Sequence, residues 1–166
     1  MTPRPRPAAL EDAPRIAALI NAAYQVERFF VEGDRTSAEE VASLLGRGSF
    51  LLAEDGEALV GCVYAEPRGE RGYFGLLSVD PGRQVQGLGR RLVAAAEDLL
   101  RQKGCRAVEI LVVNLREELP PFYRRLGYVE EARVPFPPAV RLLRPCHFIS
   151  MAKRLDPDVP RPSPAS

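Results

Sequence analysis

Cysteine is scarce: Cys62, Cys105 and Cys146 stand far apart, with no CxxC pair. That spacing excludes a disulfide framework and a zinc ribbon, and leaves buried reduced thiols and no metal as the expectation. Charge of one sign is lacking too. With 23 basic and 22 acidic residues the chain carries +1, so the broad field that nucleic-acid binding needs is missing. No apolar run approaches the ~18 residues of a membrane span. The opening MTPRPRPAALEDA holds no apolar signal core, so a cytoplasmic chain without a membrane partner is expected. Histidine occurs once, at His147.

What is present is ordinary globular material, 46% hydrophobic over 166 residues, enough for one domain with a core of two or three layers. A proline-interrupted opening segment suits only an edge strand. Ile16, Leu19, Ile20, Ala23 and Tyr24 then recur at helical spacing. TSAEEVASLLG predicts a second helix, opened by a Thr36 to Glu39 capping box and stopped at Gly46. SFLLAEDGEALVGCVYAEP reads as two strands joined by a turn at Asp55-Gly56, and RGYFGLLSV as another after Arg68-Gly69. Leu88, Leu92, Val93, Ala96, Leu99 and Leu100 stripe a long helix over 88–103, with Gly104 at its C-cap. AVEILVV, broken only by Glu109, predicts a central strand covered on both faces. A short helix near 120–126 ends at Gly127, and strands near 128–134 and 146–153 close the sheet. The domain spans 1–155; residues 156–166, rich in proline, are expected to be a disordered tail.

Between strand and long helix lies QVQGLGRRL. Its glycines uncover backbone N–H groups, and Arg83, Arg90 and Arg91 add positive charge, which suits an anion. A P-loop would need Lys and Ser or Thr after the second glycine, where Arg90 and Arg91 stand. The dinucleotide fingerprint needs a small residue where Leu92 stands. The pattern that fits is Gln or Arg, two residues, Gly, one residue, Gly or Ala, met by Gln84-Val85-Gln86-Gly87-Leu88-Gly89.

With LLSVDP before this turn and VEILVVN, PPFYRRLGY and CHFISMAKRL after it, the chain resembles the GNAT superfamily of acyl-CoA-dependent N-acetyltransferases over residues 2–155. The resemblance implies an α/β (α+β) fold: a mixed, mostly antiparallel sheet with a splayed parallel strand pair and flanking helices. It implies acetyl-CoA as acetyl donor and a primary amine as acceptor, from small molecule to peptide, and leaves a homodimer open. Carried over residue by residue, Leu77 and Val79 offer main-chain contacts to the pantetheine arm. Gln84, Val85, Gln86, Gly87, Leu88, Gly89 and Arg90 cradle the pyrophosphate at a helix start, and Asn114 contacts the arm. Tyr123 takes the position of the general acid, where Arg124 and Arg125 would lower its proton affinity. Glu109 and His147 are candidates for the base, with Glu27 and Glu66 as further carboxylates; otherwise Glu109 is a structural carboxylate paired with an arginine. Glu27, Phe30 and Tyr73 stand where the acceptor is held. A sensor that binds acyl-CoA without turnover is the rival reading.

Overall fold

The computed structural model describes residues 4–83 and 87–155. Gln84, Val85 and Gln86 of the glycine turn, and the 156–166 tail, lie outside the described residues.

In chain order the elements are β1 (Arg6–Pro7), α1 (Ala13–Ala23), α2 (Ala38–Leu45), β2 (Ser49–Asp55), β3 (Ala58–Arg68), β4 (Arg71–Val79), α3 (Leu88–Gln102), β5 (Ala107–Val113), α4 (Leu119–Arg125), β6 (Val129–Val134) and β7 (Phe148–Arg154). Among the described residues the strands form one sheet in the order β1-β2-β3-β4-β5-β7-β6. Its neighbours are antiparallel except β4 and β5, which run parallel because α3 carries the chain back between them.

Alternation along the strands sends side chains to two separate cores. On one face α1 and α2 pack Ile16, Leu19, Ile20 and Val41 against Phe50, Leu52, Cys62 and Tyr64. On the other, α3 lays Leu88, Leu92, Val93, Ala96 and Leu100 against Leu51, Val63, Phe74, Val108 and Ile110. Each fully buried leucine contributes about 1.5–3 kcal/mol, so this stripe holds α3 in place through packing more than through helix propensity. A buried polar knot adds direction: Tyr128 Oη donates to Glu97 Oε2 at 2.7 Å and Lys153 Nζ to Glu97 Oε1 at 3.1 Å, tying α3 to β7 and the end of α4.

The structure differs from expectation in three places. The cap of α2 is Ser37, whose hydroxyl accepts from the Glu40 N–H at 3.1 Å. Thr36 instead donates to the Glu40 carboxylate at 2.7 Å, so the N-cap lies one residue later than expected and the reciprocal half of a capping box is replaced by this contact. Strand β5 is fully covered on one face only: on the other, Val113 is buried but Leu111 is 39% exposed, because the layer of α1 and α2 stops short of it. Cys62 and Cys105 are buried free thiols, and burial pushes Cys62 up to about 12, but Cys146 is only half-buried.

Candidate active site

The parallel ladder between β4 and β5 has three rungs, Arg71 with Ala107, Gly72 with Val108 and Tyr73 with Glu109. Beyond them the strands part. The cause is a bulge: on β3 the register passes from Cys62 opposite Ser78 to Tyr64 opposite Gly75, and Leu76 adopts φ +54°, a left-handed conformation rare for a branched side chain. Strand β5 stays with β7 over its whole length, so a V-shaped gap opens. Asp80 N–H donates to Val60 O at 2.8 Å, so alternation turns the main-chain groups of Leu77 and Val79 toward the gap.

Helix α3 begins at the same end of β4. Its first main-chain bond runs from Arg91 N to Gly87 O, so the N–H groups of Leu88, Gly89 and Arg90 lie free of the helix ladder at its positive end. Among the described residues no side chain caps them, and no acidic residue sits in the first turn. Gly87 has φ +78°, and a Cβ on Gly89 would meet nothing nearer than Phe122 at 3.6 Å. Three uncapped donors and an open approach fit a pyrophosphate. The Leu88 side chain points into the core, leaving only its backbone for such a role. Arg90 is exposed, whereas Arg83 is drawn away to Asp55 at 2.7 Å.

Tyr123 of α4 lies against Phe74, Phe122 and Tyr128, with ring centroids 6.1, 4.9 and 5.7 Å away. Among the described residues its hydroxyl has no hydrogen-bond partner. Burial, with the phenols of Tyr24 and Tyr73 nearby, raises its proton affinity above that of a free phenol. Arg124 and Arg125 do not lower it: both are exposed, and Arg124 is bound to Glu130 at 2.6 Å. The cation that acts on Tyr123 is Arg116.

Arg116 also joins the gap to the turn after α1. Its guanidinium donates to Glu27 Oε2 at 3.0 Å and to Glu118 Oε2 at 2.8 Å. Burial raises the Glu27 carboxyl above the ordinary range, and Arg116 opposes that rise without cancelling it. Tyr24, Tyr73 and Tyr123 together with Glu27 and Arg116 thus form one electrostatic cluster. Sequence reasoning missed Tyr24, which sits at a core position of the α1 stripe, and Arg116, which lies in the charged loop LREEL.

The other predicted residues divide. Glu109 shares a rung with Tyr73, and instead of pairing with an arginine it accepts from Ser150 Oγ at 3.3 Å. Glu66 is committed elsewhere, accepting from Tyr64 at 2.6 Å and from Arg68 at 2.7 Å. Asn114 and His147 clasp each other: Asn114 N–H donates to the His147 carbonyl at 2.9 Å, and His147 N–H donates to Asn114 Oδ1 at 2.8 Å. The Asn114 oxygen is therefore occupied, and its amide NH2 is the group left for another contact. The imidazole of His147 is half-buried. Phe30 is fully buried, so it backs the wall, and Phe29, 51% exposed, presents the ring. Among the described residues no cluster of three or more His, Cys, Asp or Glu side chains could hold a metal, and no helix is long and apolar enough to cross a membrane.

Comparison with known proteins gives a consistent picture. The sequence model of the family described as "Acetyltransferase (GNAT) family" matches residues 14–128, more than half of the chain. Blasticidin-S acetyltransferase of Streptomyces morookaense is 32% identical over 108 residues, covering 64% of this chain and 77% of that protein. Mycothiol acetyltransferase of Beutenbergia cavernae is 34% identical over 85 residues, 50% of this chain but only 29% of that longer protein. Among solved structures, yncA of Salmonella typhimurium, solved with its cofactor acetyl-CoA, superposes with TM-score 0.73 at 20% identity, covering 94% of this chain and 98% of that one. The ribosomal-protein-S18-alanine N-acetyltransferase of Escherichia coli gives 0.71 at 22%, covering 94% and 95%.

Proposed function

Because the chain belongs to the GNAT acetyltransferase family, we propose that it moves the acetyl group of acetyl-CoA to a primary amine by direct attack. The observation that carries this reading is the coincidence, at one end of β4, of a strand gap with unpaired main-chain groups and a helix start with three uncapped N–H donors. Leu77 and Val79 would hold the amide-bearing arm, and Leu88, Gly89 and Arg90 its pyrophosphate. The donor, when bound, supplies an activated thioester carbonyl and a thiolate leaving group.

Glu27 takes the proton of the incoming ammonium. It is a carboxylate whose proton affinity burial has raised, and Arg116 fixes its orientation. Tyr123 delivers a proton to the departing sulfur: its hydroxyl is unengaged and burial keeps it protonated at neutral pH. Glu109 sits beside Tyr73 with Ser150 donating to it, which suits it to orient water at the same site. The named relatives act on acceptors as unlike as blasticidin S and mycothiol, so the acceptor is not inherited from them.

Free-thiol release from acetyl-CoA, measured against a panel of amines, amino acids and N-terminal peptides, tests this reading. Acceptor-dependent release supports it. Tight acetyl-CoA binding with no release for any acceptor would mark the chain as a sensor.

A further inference from the structure

Arg35 stands between the 3₁₀ turn Tyr24–Glu27 and α2, with its guanidinium over the Tyr24 ring at 5.4 Å. Such stacking holds a guanidinium in place while leaving its N–H fork open. Among the described residues Arg35 makes no hydrogen bond or ion pair with a carboxylate, while its charge acts on Glu27 and Tyr24 across the recess. Its neighbours are spoken for: Arg28 is bound to Asp34, Arg116 to Glu27 and Glu118, and Arg141 to Glu32. Arg35 and Glu27 line the same shallow recess with Asn21, Tyr24 and Val31; its enclosed space of about 10 Å³ holds no more than a water, so a ligand that meets both side chains lies across its mouth.

We propose that Arg35 reads a carboxylate on the acceptor, so that the preferred substrate is a compact zwitterion, an amino acid or close analogue, with its ammonium at Glu27 and its carboxylate at Arg35. The inference rests on the acetyl-transfer reading above and narrows its substrate class. The recess sets the Arg35 guanidinium beside the Glu27 carboxylate, one cation and one anion, which matches a zwitterion better than a phosphate dianion, which Glu27 would repel. The Tyr24 ring beneath it supplies an apolar floor, and a planar guanidinium on a ring suits bidentate contact with a planar carboxylate.

The test pairs each common α-amino acid with its α-amide, measuring kcat/KM by thiol release and acceptor binding by calorimetry, for wild type, Arg35→Ala and Arg35→Lys. Wild type is expected to favour acids over amides by about ten- to hundredfold, the worth of one charge-assisted contact. Arg35→Ala should bring that ratio near one and Arg35→Lys restore part of it, with thermal melting verifying that each variant is folded. Equal handling of acids and amides by wild type, or an acid preference that survives in Arg35→Ala, overturns the proposal. Absence of both turnover and binding for every amino acid overturns it as well. Acid-selective binding that depends on Arg35, without turnover, upholds the carboxylate site and refutes acetyl transfer instead.

Discussion

Tyr73 of β4 and Glu109 of β5 form the last rung the two strands share before they part. The Tyr73 ring folds back along its own strand, so that a Cβ on Gly75 would lie 2.0 Å from the Tyr73 hydroxyl. Gly75→Ala must therefore displace Tyr73 from the mouth of the gap. A fall in kcat/KM of roughly tenfold or more is expected, of the kind misplacement near the chemistry produces. In a Tyr73→Ala background the same substitution should have a much smaller effect, and additive losses would refute the clash.

Tyr123→Phe removes the one hydroxyl in the cluster proposed to reach the leaving group. Turnover should drop ~10²- to 10⁴-fold with acetyl-CoA affinity nearly unchanged. Since burial lifts this phenol above its ordinary ~10, wild-type kcat should show no loss assignable to Tyr123 at lower pH. Near-full turnover of the variant would reduce Tyr123 to a packing residue.

Glu27 must be deprotonated to act as base, so kcat/KM should rise with pH through its ionisation, which lies above the ordinary ~4.3 of a glutamate. Arg116 favours the charged form; Arg116→Met should therefore move that acidic limb to higher pH. Glu27→Gln should abolish the limb along with most of the rate. If the limb persists in Glu27→Gln and vanishes in Glu109→Gln or His147→Gln, the base has been misassigned.

Gly89→Val places a side chain where the approach to the free N–H groups of α3 is open, 3.6 Å from Phe122. The fold should tolerate it while acetyl-CoA affinity falls by about tenfold or more. Gly87→Ala carries a backbone penalty of about 1–2 kcal/mol because φ is +78° there, so it should lower Tm as well. Unchanged calorimetric affinity in both variants would remove the cradle.

Far from the gap, Glu54 is gripped by Arg6 at 2.7 Å and by Arg15, and these hydrogen bonds hold its carboxyl at about 2. A depressed carboxyl stabilises the fold fully above its unfolded value of ~4.3, and that contribution disappears as pH falls toward about 2. Glu54→Gln should cost about 1 kcal/mol at pH 7, a low figure because the arginines are 43% and 37% exposed. The thermal stabilities of variant and wild type should converge near pH 2; a constant gap would contradict the assignment.

Local patterns announced most of the fold. The apolar stripe and Gly104 marked α3, and the Asp55-Gly56 pair marked the β2–β3 hairpin, because helix faces and tight turns are decided by neighbours in sequence. The half-open face of β5 was hidden, since AVEILVV does not disclose that α1 ends too soon to cover Leu111. In the site, the glycine turn and Tyr123 stood out by motif. The link from Glu27 to Arg116 joins residues 89 positions apart, and nothing in either segment alone encodes it. Nor does LLSV reveal its bulge, which arises from a register mismatch with β3.

That bulge has a thermodynamic consequence. Left-handed Leu76 and the forfeited rungs between β4 and β5 are unfavourable, but they are settled when the chain folds, offset by the two cores on either side. An arriving ligand need not pry strands apart or order a loose segment of β4. Its contacts with the Leu77 and Val79 main chain can then appear almost undiminished as affinity, which is what a preorganised cleft gains over one that must be opened.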